Sequence, residues 1–145
     1  MPKILVLYYT QTRNTQKMAD AVAEGAKDDG KVQVEVSYYV EPEELGKFDA
    51  IIVGTPTYHH DIPMDIKRLF EEAAVQSVNL KGKVGATFGS YGWSGEAPKM
   101  VQEIMKNKFE MRVVDAPLCL KYTPDAKGLA ECKELGKKVS ENLIP

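Results

Sequence analysis

The hydrophobic positions of this chain follow two periods in turn. Lys3 to Tyr8 is a continuous, β-rich apolar run, the pattern of a strand covered on both faces. From Thr15 to Lys27, Met18, Ala19, Ala21, Val22, Ala23 and Ala26 fall on one helical face, with Lys17, Asp20, Glu24 and Lys27 left for solvent. Asp29-Gly30 closes that helix. Val32, Val34 and Val36 then alternate with Gln33, Glu35 and Ser37, which predicts a half-exposed strand at a sheet edge. Glu41 to Phe48 is polar with one proline, a loop or a short helix. Ala50 to Gly54 reads as a third, fully buried strand. A loop from Thr55 to Asp61 leads to a helix over Met64 to Ala74, with Pro63 placed for its first turn. Val84 to Phe88 is a fourth strand, Gly89 to Gly95 a glycine-rich loop, and Ala97 to Lys106 a helix. Val113 to Leu120 contains a fifth strand interrupted by Pro117. The last helix runs from Pro124 to Leu143, opened by Thr123-Pro124-Asp125.

Strands and helices that alternate in this way predict an α/β fold with a parallel sheet covered by helices on both faces. There is no internal repeat, linker or low-complexity segment, so 1–145 reads as a single domain. The long loops follow strands one, three and four. Ligands of open parallel sheets sit beyond the carboxyl ends of the strands, where the strand order reverses. Three long loops at one edge therefore predict one site.

The first of them, Tyr9 to Thr15, carries the most chemistry. It is hydroxyl-rich, follows a strand and opens a helix. The first amides of a helix have no partner within it, and the positive end of the helix dipole lies there, so such a turn is built to hold an anion. Thr10, Thr12, Asn14 and Thr15 can donate to a phosphate monoester dianion without adding charge. Thr and Asn are also common helix caps, and it is the two further loops at the same edge that favour phosphate.

Composition narrows the function classes. The chain has 145 residues, 43% apolar and 28% charged, with a formal net charge of −2. That describes a globular domain with one core, and offers no long-range field for nucleic acid or an anionic membrane. Cys119 and Cys132 lie outside any CxxC or histidine-spaced cluster, so they read as two free thiols in a reducing compartment, with no metal predicted. No stretch approaches the roughly 20 apolar residues of a membrane span, and the first apolar run is too short for a signal peptide. A cytoplasmic location is expected. No nucleophile elbow or Ser/His/Asp arrangement stands out, so no catalytic residue is assigned.

The turn Thr10-Gln11-Thr12-Arg13-Asn14-Thr15 resembles the phosphate loop of the flavodoxin family, (Ser/Thr)-x-Thr-Gly-Asn/x-Thr, with Arg13 where glycine is usual. The resemblance covers essentially the whole chain. The later loops, Gly54-Thr55-Pro56-Thr57-Tyr58-His59-His60 and Phe88-Gly89-Ser90-Tyr91-Gly92-Trp93-Ser94-Gly95-Glu96, are most similar to the flavodoxin-type domain of flavodiiron proteins, as is the tail around Leu120-Lys121-Tyr122 and Cys132 to Gly136. The di-iron domain of those proteins is absent from the sequence. No long insertion enters the last strand, so the chain resembles the short-chain form. The resemblance implies a flavodoxin-like three-layer αβα sandwich, a five-stranded parallel sheet in order 2-1-3-4-5, and FMN as cofactor. Flavodoxin is itself a standard example of a ligand held at the switch point of such a sheet.

By the same resemblance, Thr10, Gln11, Thr12, Arg13, Asn14 and Thr15 would hold the phosphate. Arg13 either adds a charge-assisted bond or points to solvent. Thr55, Pro56 and Thr57 would supply backbone groups near the flavin N5, where a peptide changes its hydrogen bonding as N5 gains a proton. Tyr58 and Trp93 are placed against the isoalloxazine, with Tyr91 a third candidate; a flat conjugated ring is held well by offset aromatic stacking. Gly89, Gly92 and Gly95, with Ser90 between them, would let backbone amides approach the pyrimidine end. His59 and His60 either sit near the flavin edge or are solvated loop residues.

The function expected is one-electron transfer by an FMN-binding carrier, a monomer or weak dimer, between redox proteins such as a reductase, a rubredoxin-like protein or a di-iron protein. The alternative is an NAD(P)H-dependent quinone or flavin reductase on the same fold, for which the chain is short. A response-regulator receiver needs an acidic cluster after strand one and an aspartate ending strand three, and the sequence has Tyr8-Tyr9-Thr10 and Gly54-Thr55 there. Flavodoxins are usually strongly acidic. A charge of −2 therefore predicts a weak salt dependence of electron transfer.

Overall fold

The computed structural model describes residues 1–9, 13–27, 30–57, 61–91, 95–121 and 123–143. In chain order these form β1 (Lys3–Tyr8), α1 (Asn14–Lys27), β2 (Gln33–Ser37), a 3₁₀ helix (Pro42–Lys47), β3 (Ala50–Gly54), α2 (Met64–Val75), β4 (Val84–Tyr91), α3 (Glu96–Asn107), β5 (Arg112–Val113), β6 (Leu118–Lys121) and α4 (Ala126–Glu141). All strand pairs are parallel, in the order β2-β1-β3-β4-β5, and β6 also pairs with β4. The expected order 2-1-3-4-5 is the one observed, and the alternating β2 lies at the edge.

The fifth position is filled by two segments. β5 pairs with the start of β4 and β6 with its end. Between them the chain leaves the ladder at Asp115-Ala116-Pro117, where Pro117 has no amide to offer. Side chains satisfy the freed backbone: Gln102 Nε2 donates to the Asp115 carbonyl at 2.8 Å, and the Ala116 amide donates to Asp115 Oδ1 at 2.8 Å. β6 also explains why β4 is longer than its local pattern predicts. Gly89, Ser90 and Tyr91 pair with Cys119, Leu120 and Lys121, so they are strand residues rather than the start of a loop.

Successive strand residues point to opposite faces, and the core divides accordingly. Ile4, Val6, Ile52, Ala86 and Phe88 pack under α1 and α4 with Met18, Val22, Cys132, Leu135 and Val139. Leu5, Leu7, Ile51 and Val53 pack under α2, α3 and the 3₁₀ helix with Leu45, Ile66, Leu69, Phe70, Val101 and Met105. Among the methionines, Met18, Met105 and Met111 are buried and Met64 is exposed on the first turn of α2. No helix among the described residues is long and apolar enough to cross a membrane.

Two glycines set the packing of α1 on α4. A Cβ at Gly136 would sit 1.9 Å from the Val22 carbonyl oxygen, and one at Gly25 the same distance from that of Lys133. The two backbones therefore touch, which fixes α1 against α4.

Candidate functional site

The strand order reverses between β1 and β3, and the carboxyl ends of β1, β3 and β4 lie side by side. Backbone hydrogen bonds continue past the strand ends. The Tyr9 amide donates to Gly54 O at 3.0 Å, and the Thr55 amide to Phe88 O at 2.9 Å. β3 and β4 come closer here than side chains would allow: a Cβ at Gly89 would meet the Thr55 carbonyl oxygen at 2.0 Å. Gly89 thus serves the packing of one strand end on the next, and it is buried.

α1 begins at this edge. Its first backbone bond runs from the Lys17 amide to Arg13 O, at 3.0 Å. The amides of Asn14, Thr15 and Gln16 consequently have no carbonyl of their own helix to reach. The first turn holds no acidic residue, although carboxylates are favoured at such a position. Thr15 is buried, and its hydroxyl lies 3.5 Å from that of Ser90 at the end of β4. Asn14 is half-buried beside it. A helix start whose first amides reach no carbonyl of their own helix, with hydroxyls and an amide side chain and no carboxylate in the first turn, suits a phosphate dianion.

Arg13 stands at φ +69°. That left-handed conformation is natural to glycine and costs a residue with a Cβ about 1–2 kcal/mol. The arginine keeps the backbone shape that a glycine would supply, and its side chain is exposed.

The other expected site residues divide between described and undescribed positions. Thr55 and Pro56 are buried, and the Thr55 hydroxyl donates to Pro56 O at 3.0 Å. Thr57 is half-buried, and its hydroxyl accepts from the Ala97 amide at 3.0 Å. Tyr91 ends β4 half-buried, close enough that a Cβ on Gly95 would meet its ring at 3.2 Å. Thr10, Gln11, Thr12, Tyr58, His59, His60, Gly92, Trp93 and Ser94 lie outside the described residues.

Asp61 is the residue that sequence reasoning passed over. Its Oδ1 accepts from the Ile62 amide at 2.7 Å, and its Oδ2 pairs with Lys67 Nζ at 3.3 Å, tying the end of the β3–α2 loop to α2. The Ile62 amide foremost, and then Lys67, hold its carboxyl below the ordinary value. An aspartate two residues before Pro63 was the available signal. Cys119 donates to Gly95 O at 3.6 Å, and burial pushes its thiol up. Burial and then Glu131 push the Cys132 thiol up to about 12. Both cysteines are free thiols.

A doubly wound parallel sheet with an open helix N-terminus and hydroxyl-bearing strand ends at its switch point defines a protein that holds a phosphorylated cofactor. The sequence profile of flavodoxin matches residues 6–136, and the chain belongs to the flavodoxin family. With the family come its cofactor, FMN, and its work, electron transfer. The chain is similar to a flavodoxin of known structure from the domain Archaea, with 37% identity and a TM-score of 0.89, covering 97% of this chain and 98% of that one. It is 33% identical to the type A flavoprotein fprA of Rhodobacter capsulatus over 97% of its own length and 33% of the relative's. It is 31% identical to the anaerobic nitric oxide reductase flavorubredoxin of Vibrio vulnificus over 96% of its length and 29% of that protein's. The chain thus spans about a third of the length of these curated relatives.

Proposed function

We propose that the edge formed by the β1–α1 turn and the ends of β3 and β4 is the FMN site, with the ribityl phosphate at the start of α1 and the ring between the loops that follow β3 and β4. The start of α1 carries the reading: first amides that no carbonyl of their own helix reaches, no carboxylate in the first turn, buried Thr15 beside Ser90, and Arg13 held in the conformation of the family's glycine. FMN, when bound, supplies the one-electron chemistry. The chain's own residues bind and orient it, and none has to act as acid or base. The whole chain acts as a single carrier domain.

The test is the absorption spectrum of the purified protein, followed by stepwise reduction without oxygen. Two flavin bands and two separable one-electron steps are expected. A colourless protein that takes up no added FMN would overturn the proposal. NADPH added alone should leave the yellow form unchanged, and rapid bleaching would favour the reductase alternative.

The partner is proposed to be a redox protein, a reductase, a rubredoxin-like protein or a di-iron protein, that presents a basic face. The net charge of −2 hides a segregation. Residues 38–76 carry Glu41, Glu43, Glu44, Asp49, Asp61, Asp65, Glu71 and Glu72 against Lys47, Lys67 and Arg68, while residues 77–145 are net basic. The same stretch exposes Tyr38, Tyr39, Met64 and Val75. Desolvation first, and then the carboxylates of Glu41, Glu72 and Glu43, raise the Tyr39 phenol above its ordinary value. A local acidic flank steers a basic partner even when the whole molecule is near neutral. This revises the weak salt dependence expected from net charge. The rate of electron transfer to a basic c-type cytochrome should fall steeply with ionic strength, and reversing Glu71 and Glu72 to lysine should flatten the slope. A flat profile in the unaltered protein would exclude the acidic flank as the docking face. A cytoplasmic location accords with the two free thiols.

A further inference from the structure

The geometry points to Thr57 as a positioning residue that joins the two loops on the ring side of the site; this rests on the placement of FMN proposed above. α3 begins badly equipped. Gly95, at its N-cap position, brings no side chain, and no side chain of that residue caps the helix. Pro98, at the third helical position, has no amide. The Ala97 amide needs an acceptor that an ordinary N-cap serine or threonine would supply from the preceding residues. Thr57 supplies it from 40 positions away in sequence, its hydroxyl oxygen 3.0 Å from the Ala97 nitrogen.

This bond falls at the root of both loops. Thr57 immediately precedes residues 58–60, and Gly95 immediately follows residues 92–94. Each of those segments carries an aromatic residue that the site proposal sets against the isoalloxazine. Below the bond, the two strand ends are already held backbone to backbone, by the Thr55 amide on Phe88 O and by the close seat of Thr55 on Gly89. The Thr57 hydroxyl extends that attachment beyond the sheet, from the point where the β3 loop leaves to the first turn of α3, just after the β4 loop returns. It fixes the separation of the loop roots, between which the proposed site would take a flat ring. A cap supplied in trans does two jobs at once: it starts α3, and it ties Thr57, where the β3 loop leaves, to the first turn of α3, where the β4 loop has returned.

The experiment compares Thr57→Val, which keeps the shape and removes the acceptor, with Thr57→Ser, which keeps the acceptor. In the protein without FMN, exchange of the Ala97 amide should accelerate in the valine variant and stay slow in the serine variant. With FMN, the valine variant should bind about tenfold more weakly, the loss of one helix cap, and the separation of its two reduction potentials should change. The serine variant should match the unaltered protein in both. Unchanged affinity and potentials in Thr57→Val would overturn the positioning role, as would equal losses in the two variants. Slow Ala97 exchange in Thr57→Val would overturn the link itself. A protein that shows the exchange effect but takes up no FMN would instead overturn the placement of the cofactor.

Discussion

On one face of the sheet, α1 and α4 cross with their backbones in contact at Gly25 and Gly136. On the other, α2 packs through bulky side chains, Phe70 meeting Phe109 just beyond the end of α3 with ring centroids 5.8 Å apart and tilted by 57°. The first layer has no freedom to shift, because a backbone contact cannot rearrange as a rotamer can. It anchors the start of α1, where the phosphate is proposed to sit. The second layer carries the acidic flank and the exposed Tyr38, Tyr39, Met64 and Val75. Under the proposed function the comparison separates two tasks: one layer holds the cofactor end still, and the other is the face offered to the partner.

The same substitution on the two layers should expose the difference. Gly136→Ala forces a methyl to within 1.9 Å of the Val22 carbonyl. A loss of about 3 kcal/mol in urea unfolding is expected, the upper part of the range for overpacking, even though alanine is the better helix former. Gly46→Ala, in the 3₁₀ helix of the other layer, meets only Val78 at 3.6 Å, and should be neutral or stabilising by about 0.5 kcal/mol. Equal effects at the two positions would break the contrast.

Much of this was legible in the sequence, because the signals were local. The periodic runs gave the helices and buried strands. The Val32–Val36 alternation placed β2 at the edge, and Pro117 marked the interruption of the fifth strand. What escaped was decided by distant partners. β4 extends through Gly89–Tyr91 because β6 pairs with it from 30 positions on, at Phe88 with Leu118 through Tyr91 with Lys121. No pattern around Gly89 reports that. The glycines of that stretch suggested approach to a ligand, but Gly89 answers to the Thr55 carbonyl. Thr57 looked like a donor of backbone groups, yet its hydroxyl is committed to a helix 40 residues away. The net charge averaged an acidic flank against a basic remainder. Of the proposed site, the sequence marks where α1 starts, since a helix N-terminus is a local object, while Thr10, Gln11 and Thr12 lie outside the described residues.

Each layer also buries a hydroxyl with no hydrogen-bond partner among the described residues, Thr87 on β4 and Ser140 on α4. By strand alternation Thr87 shares a face with Gly85 and Gly89, under α3, where the neighbours are Met105, Met111 and Pro98. Thr87→Val keeps the shape and removes the orphaned group. It should stabilise by about 1 kcal/mol in urea unfolding. A loss of stability would mean that the hydroxyl has a partner, and would make the second layer tighter than the comparison holds.

The entrances to the helices sharpen it further. α1 is entered through Arg13 in a left-handed conformation. Arg13→Gly relieves that strain but frees the unfolded chain, and the two together predict a gain of about 0.5 kcal/mol. FMN affinity should not change, because the arginine is exposed and the cradle is made of amides and hydroxyls. A fall in affinity, read by fluorescence quenching of added FMN, would put the guanidinium on the phosphate.

α2 is entered through Asp61, and here the smallest effect is expected. The carboxylate is largely solvated, so its pairing with the Ile62 amide and Lys67 is screened. Its pKa lies below the ordinary 3.8, which means that the folded state prefers the ionised form more than the unfolded chain does. The contribution to stability is therefore present above about pH 4 and disappears as the pH falls through the folded-state value. A carboxyl titration by NMR should place the Asp61 midpoint below 3.8. Asp61→Asn should remove a small part of the acid-induced loss of stability below about pH 4 while leaving its slope near neutrality unchanged. An Asp61 midpoint at or above the ordinary value would show that the β3–α2 loop is not tied to α2 in this way, and the second layer would then be looser at its site end than at its core.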